Sequence, residues 1–478
     1  MTDPLHDRDT AEAALERVFR AVGPYLDALP ERLVHDRSAD RLLDELGGPL
    51  PEKGLGSLDS VDELLRVGTR AATHSTGPRF FHLVVGGATP AATAADWTAS
   101  LLDQAGGLQI SSPLAARVET VALGWLKELF GLPASYGGVI TPSATLAHVT
   151  GLACARTWWG DRHGVDVAGQ GLAGLPAMPV FSSGLVHPTS RKALQVLGCG
   201  RDTLRTFARD DAGRVDLPAL EAALADLDGA PAVIVGNLGD VYAGECDPLD
   251  AFADLAERYG AWLHVDGAFG MFATLSPRTA HLAAGVERAH SITADGHKWL
   301  NVPYDCGFSF VRERAYQTRT FGPWGVSYLP EADGRDPDYN TLGPESSRRA
   351  RALPVWATLR AYGRDGHRAM VERHLDVADH LGGLLDAEPD FELLAPPQLC
   401  IVSFRYRPEG VAEEHLDELN SRLNEAILRD GRVYVGNATY RGVRGLRCAI
   451  VNWRTTREDA ELLVRVLREL TAELAGRA

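Results

Sequence analysis

From about residue 76 to residue 314, short β-rich runs alternate with stretches of helical period, and nothing else in the chain limits its fold as strongly. The β-rich runs are 139–140, 180–181, 232–235, 262–265, 291–293 and 307–311. Helical stretches at 144–157, 190–197, 217–227 and 249–259 separate most of them. Parallel strands need long crossovers and helices supply them, so the pattern predicts an α/β domain whose mostly parallel central sheet is flanked by helices. In such sheets ligands collect beyond the carboxyl ends of the strands. Asn237, Asp266 and Lys298 are all expected there.

The run Ala261-Trp262-Leu263-His264-Val265 delivers Asp266 at a strand end, and Lys298 follows 32 positions later in Asp295-Gly296-His297-Lys298-Trp299. An acid and an amine so placed can hold pyridoxal 5'-phosphate, the acid at the pyridinium nitrogen and the amine at the aldehyde. Lys298 is expected to form the Schiff base. Asp266 is expected to keep the ring protonated, so that it accepts electrons from a substrate carbanion. The bland alternative for Asp266 is a helix cap or a surface strand end.

A second site element is Val139-Ile140-Thr141-Pro142-Ser143-Ala144-Thr145. A strand ends, small and hydroxyl residues follow, and a helix begins. Backbone N–H groups there, with the Ser143 and Thr145 hydroxyls, suit a phosphate. Alone, the segment reads equally as a plain Ser/Thr cap.

Composition narrows the partners. A formal charge of −16 disfavours nucleic acid and anionic membrane, both of which need clustered Lys and Arg. The six cysteines are scattered without a C-x-x-C or an adjacent His pair, so neither a disulfide framework nor a metal site is expected, and a cytoplasmic location fits. The first residues are charged, without the apolar core of a secretory signal, and no apolar run is long enough to span a bilayer.

The flanks read differently. Residues 10–47 carry an amphipathic helical period through Ala14, Leu15, Val18, Phe19 and Val22. Residues 1–76 are therefore expected to form a helical arm whose stripe packs on the main body or on a second subunit. Residues 77–347 form the large domain, ending in a Gly-, Pro- and acid-rich loop at 321–347 that is expected to be mobile and catalytic. Beyond it, helices at 355–362 and 367–385, strands at 400–406, 432–436 and 446–451, and a last helix at 457–474 predict a smaller α+β domain over 348–478.

Together these motifs, in this order, resemble the pyridoxal phosphate enzymes of fold type I. Within them, the chain resembles the group II amino-acid decarboxylases, which include the aromatic-L-amino-acid, glutamate and cysteine sulfinate decarboxylases. The resemblance runs from about Gly77 to the C-terminus. It implies a homodimer with its active site between the subunits, and decarboxylation of an L-amino acid to an amine. The alternatives are an aldehyde synthase, which also deaminates oxidatively, and a carbon–carbon lyase or aminotransferase of the same fold.

Residue by residue, the resemblance makes His187, in Gly184-Leu185-Val186-His187-Pro188, the histidine stacked on the cofactor ring. Ser143, Ala144 and Thr145 become the phosphate cradle, and His297 precedes the lysine. Asn237 stands where threonine is common near the ring's 3′-oxygen, and Gly267 where alanine is commoner. Asp295 stands where relatives carry asparagine, and a carboxylate beside a phosphate is repelled. Tyr339 matches by register the loop tyrosine that returns a proton to the substrate carbon, with Tyr328 nearby as its competitor.

Gly77-Pro78-Arg79-Phe80-Phe81 resembles the substrate-side entry. The side-chain pocket is expected to draw on Phe80, Phe81, His82, Val84, Leu108 and Ile110, which favours an apolar or aromatic substrate. Arg348, Arg349 and Arg351 are expected on a solvated or salt-bridged face. Arg447 is expected to be structural rather than a grip for the substrate carboxylate.

Overall fold

The computed structural model describes residues 3–322 and 336–476. Its strands are β1 (Phe80–Phe81), β2 (Gly137–Thr141), β3 (Val180–Ser182), β4 (Leu204–Thr206), β5 (Val233–Asn237) and β6 (Trp262–Asp266). They continue with β7 (Ser291–Asp295), β8 (Gly307–Val311), β9 (Phe391–Leu393), β10 (Ile401–Tyr406), β11 (Tyr434–Tyr440) and β12 (Val443–Ala449). Strands β2 to β8 form a seven-stranded sheet in the order β2-β8-β7-β6-β5-β3-β4. Strands β4, β3, β5, β6 and β7 pair in parallel, and β8 runs antiparallel to both β7 and β2.

Every residue of β5, β6, β7 and β8 is buried. Strands covered on both faces read as continuous apolar runs, which is why these were legible in the sequence. The helix Ala144–Arg162 lies across β7 and β8, and its middle turns are almost wholly buried.

The second sheet has the order β1-β11-β12-β10-β9; the helix Glu413–Asp430 packs on it, and Arg457–Ala475 packs on that helix. It departs from the sequence reading at β1. Phe80 and Phe81 lie within the stretch assigned to the large domain, yet they pair in parallel with Tyr434 and Val435 of the C-terminal sheet. A two-residue strand carries no periodic signal, and its partner is distant in sequence.

The N-terminal reading also needs correction. The helix Ala11–Ala28 stops short of the predicted end, and the chain continues to a 3-10 segment at Arg37–Leu46. Pro30 follows the helix end. Val34 then donates to the Gly431 carbonyl and accepts from the His74 N–H, both at 2.7 Å, so its backbone groups are committed elsewhere. Two helices follow residue 350 as expected, since the stretch Ala352–Asp386 breaks at Gly363, whose φ of 59° and ψ of −170° are not helical.

All three arginines after the loop are ion-paired. Arg349 pairs with Asp96, and Arg351 with Asp305 and Glu345. Arg348 is fully enclosed with Glu119 at 2.9 Å. Glu119 accepts from the Ile140 N–H and Arg348 donates to the Ile140 carbonyl, so the pair clamps the end of β2.

Candidate active site

Strands β5 and β6 end in register, with Asn237 opposite Asp266, and Asp266 lies opposite Thr293, two residues before the end of β7. Beyond those ends is a cavity of about 210 Å³. Its lining includes Ser143, Ala144, Thr145, His187, Asn237, Asp266, His297 and Lys298, the residues singled out from the sequence, together with Asp295, Thr189, Gly239, Val241, Ala268 and Phe269.

Ser143 caps the helix that starts at Ala144, its hydroxyl accepting from the Leu146 N–H at 3.4 Å. The N–H groups of Ala144 and Thr145 precede the first intrahelical bond, which runs from Ala147 to the Ser143 carbonyl. A helix start with free donors attracts an anion. Gly307 lets β8 come this close, since a Cβ there would overlap the Ser143 backbone.

Lys298 sits in a turn pinned from two sides. Gly86 N–H donates to the His297 carbonyl at 2.9 Å, and a Cβ on Gly86 would overlap the Lys298 carbonyl. Asn301 holds the left-handed conformation at φ 57° while its amide donates to the Trp299 and Val451 carbonyls, both at 3.0 Å. The Trp299 indole N–H donates to His374 at 2.8 Å and the ring stacks on Phe269. Lys298 Nζ lies 3.8 Å from the buried Asp295 carboxylate, which also meets His297 Nδ1 at 3.0 Å.

His187 Nδ1 accepts from the Thr189 N–H at 3.2 Å and meets the Thr189 hydroxyl at 2.7 Å. With Nδ1 an acceptor, the neutral ring carries its proton on Nε2. Burial pushes the imidazole down; Asp266 opposes this, and Lys298 and His148 add to it.

Asp266 is held at both oxygens. Oδ1 accepts from the Ala268 N–H at 3.1 Å, and Oδ2 lies 3.3 Å from His148 Nε2. Burial alone would push the carboxyl up, but His148, then His187 and Lys298, hold it well below the usual carboxylate range. Asn237 is fixed through its backbone N–H, which donates to Asp247 at 2.8 Å. Burial raises that acid to about 7.

Two groups of predicted residues are not brought to this cavity. Tyr339 is 3% exposed in a short 3-10 turn, its hydroxyl 3.0 Å from Thr120 Oγ1 and its ring against the Arg348 guanidinium. In this subunit it is packed away from the cavity. Tyr328 and the rest of 323–335 lie outside the described residues.

None of the six expected side-chain pocket residues lines the cavity either. Phe80 packs with Val34, Val85 and Tyr434, while Phe81 and Val84 enter the main core. His82 is half-buried and its carbonyl accepts from Arg447 at 2.8 Å. Leu108 is half-buried, and Ile110 is 60% exposed. Pairing of β1 with β11 draws the first four toward the small sheet, and Gly106 N–H to Arg348 and Gln109 N–H to Asp338 hold the other two away. Sequence reasoning also missed His148, Gly86 and Asn301.

A parallel sheet whose carboxyl edge gathers an ionised acid, a lysine, a histidine and a helix start with free donors fits pyridoxal 5'-phosphate, and defines a fold type I enzyme of that cofactor. Comparison carries this further. Residues 55–407 match the pyridoxal-dependent decarboxylase conserved domain, and the chain belongs to that family. The protein is a pyridoxal phosphate-dependent carboxy-lyase.

It is 28% identical to an aromatic-L-amino-acid decarboxylase of Bacillus atrophaeus, over 91% of this chain and 90% of that one. It is 31% identical to an L-2,4-diaminobutyrate decarboxylase of Rhizobium meliloti, over 91% and 86%. Identity to a phenylacetaldehyde synthase of a Rosa hybrid cultivar is 28%, over 79% and 77%. The crystal structure of Oryza sativa TDC with PLP and tryptamine aligns with a TM-score of 0.91 at 27% identity, covering 99% of this chain and all of that one.

Proposed function

We propose that the protein converts an L-amino acid with an apolar or aromatic side chain to its amine and CO₂, with Lys298 as the cofactor-bearing amine. The observation that carries this reading is the cavity lining. Among the described residues that line it Lys298 is the only lysine or arginine, while Val241, Ala268 and Phe269 offer apolar surface.

The bound cofactor supplies an electron sink for the pair released when the Cα–carboxylate bond breaks. Asp266, kept ionised, provides the negative charge that favours a protonated ring nitrogen. Ser143, Ala144 and Thr145 hold the phosphate. His187, with Nδ1 occupied by Thr189, offers Nε2–H to the departing carboxylate, and the enclosing apolar residues strip water from it.

In this reading a second copy of the chain completes the site. Leu108 and Ile110 do not reach the cavity of their own subunit, and Ile110 is exposed. The N-terminal helix leaves Leu15 and Phe19 uncovered beside Leu101.

A panel of L-amino acids with product masses tests the proposal. Apolar or aromatic substrates giving amine and CO₂ in equal amounts are expected; turnover confined to acidic or diamino substrates contradicts it. A second reading, oxidative conversion to an aldehyde, is favoured by one observation: the buried Tyr339 is not available as the protonating tyrosine. Oxygen uptake with release of ammonia and peroxide distinguishes it.

A further inference from the structure

Behind Asp266 runs a chain of four fully buried side chains that the reaction as described above does not use. The Trp262 indole N–H donates to Ser291 Oγ at 2.9 Å. Ser291 Oγ lies 2.8 Å from His264 Nδ1, His264 Nε2 lies 2.9 Å from His148 Nδ1, and His148 Nε2 faces Asp266 Oδ2 at 3.3 Å. All four residues are 1% exposed or less.

The indole can only donate, so Ser291 Oγ accepts from Trp262, and the serine keeps a proton that it can give to His264 Nδ1. Burial pushes His264 down to about 3, so it is neutral and carries one proton. With Nδ1 accepting, that proton is on Nε2 and points at His148 Nδ1. His148 is then left with an N–H on Nε2, the atom that lies 3.3 Å from the Asp266 carboxylate. In the reversed neutral order a His148 lone pair would face Asp266, which is repulsive. Among the described residues His148 Nε2 has no hydrogen-bond partner, and Asp266 is the acid beside it.

We infer that Trp262, Ser291, His264 and His148 form a directional relay that pins Asp266 as an oriented anion, with His148 as a positioning residue for the cofactor-facing acid. The inference rests on the reading that Asp266 meets the ring nitrogen. Among the described residues none of the four lines the cavity, and the relay meets it at Asp266, so its effect is read first in how tightly and in what electronic state the ring is held.

The test uses the full-length protein, resolved of cofactor and titrated with pyridoxal 5'-phosphate while absorbance is followed. Asp266→Asn, His148→Leu, His148→Asn and Ser291→Ala are compared with the wild type. A hydrogen bond to a charged group is worth about tenfold or more in binding. His148→Leu is expected to weaken cofactor binding about tenfold and to lower kcat with KM for the amino acid unchanged. His148→Asn, which keeps an N–H donor, recovers most of the affinity, and Ser291→Ala shows a smaller loss of the same sign. If Asp266→Asn weakens binding but His148→Leu and Ser291→Ala bind as wild type, the relay is wrong while the reading of Asp266 stands. If Asp266→Asn itself binds as wild type, that reading falls and the relay with it. Should His148→Leu not fold, Ser291→Ala decides, since affinity equal to the wild type's in that variant overturns the proposal.

Discussion

Lys298 Nζ stands 3.8 Å from the carboxylate of Asp295, a residue 2% exposed at the carboxyl end of β7. Asp295 lines the same cavity as Ser143, Ala144 and Thr145, so it adds negative charge to a space suited to a phosphate. At an effective dielectric of about 20, such a repulsion amounts to ~1–3 kcal/mol. Asp295→Asn is therefore expected to bind pyridoxal 5'-phosphate about tenfold more tightly in an absorbance titration. Weaker binding would mean that the contact with His297 outweighs the repulsion.

Tyr339→Phe removes a hydrogen bond to Thr120 and nothing in the cavity. The variant should lose roughly 1 kcal/mol of stability in chemical denaturation. The proportion of amine to aldehyde among its products should match the wild type. A changed proportion would restore Tyr339 as a proton donor.

Gly307→Ala places a methyl group against the Ser143 backbone. Backbone cannot rotate aside as a side chain does, so the helix start must shift, at a cost of about 1–3 kcal/mol. Weaker cofactor binding with a lowered melting temperature is expected. Unchanged affinity would show that the free N–H groups of Ala144 and Thr145 do not carry the phosphate.

The acid limb of the stability curve follows from buried imidazoles. Burial pushes His264 and His374 down to about 3 from an ordinary value of 6.5. The unfolded chain then binds more protons than the folded one between those limits. Stability is complete above about pH 6.5 and falls as pH drops toward 3, by up to about 1.4 kcal/mol per pH unit for each histidine. Urea midpoints at pH 7.5 and 5.5 should show the loss; equal midpoints would contradict it.

The sheet and the Asp266–Lys298 relation could be read from the sequence because strands buried on both faces are continuous apolar runs, and polar residues at their ends stand out. His148 left no such mark, since a single histidine inside an apolar helix looks like core. Its meaning depends on β6 and β7 lying beneath that helix. Tyr339 is packed away from the cavity of its own subunit, and an irregular loop has no period to fix its register. Phe80, Phe81, His82 and Val84 leave that cavity for a topological reason, as β1 joins a sheet built more than three hundred residues later.

The most direct test of the central claim is the absorbance spectrum and turnover of Lys298→Ala. The wild type should show the visible band of cofactor bound covalently to a lysine, and release CO₂. The variant should lose both while retaining the wild-type melting temperature of the cofactor-free protein. A variant that keeps the band and the activity would contradict the assignment of Lys298 and the mechanism built on it.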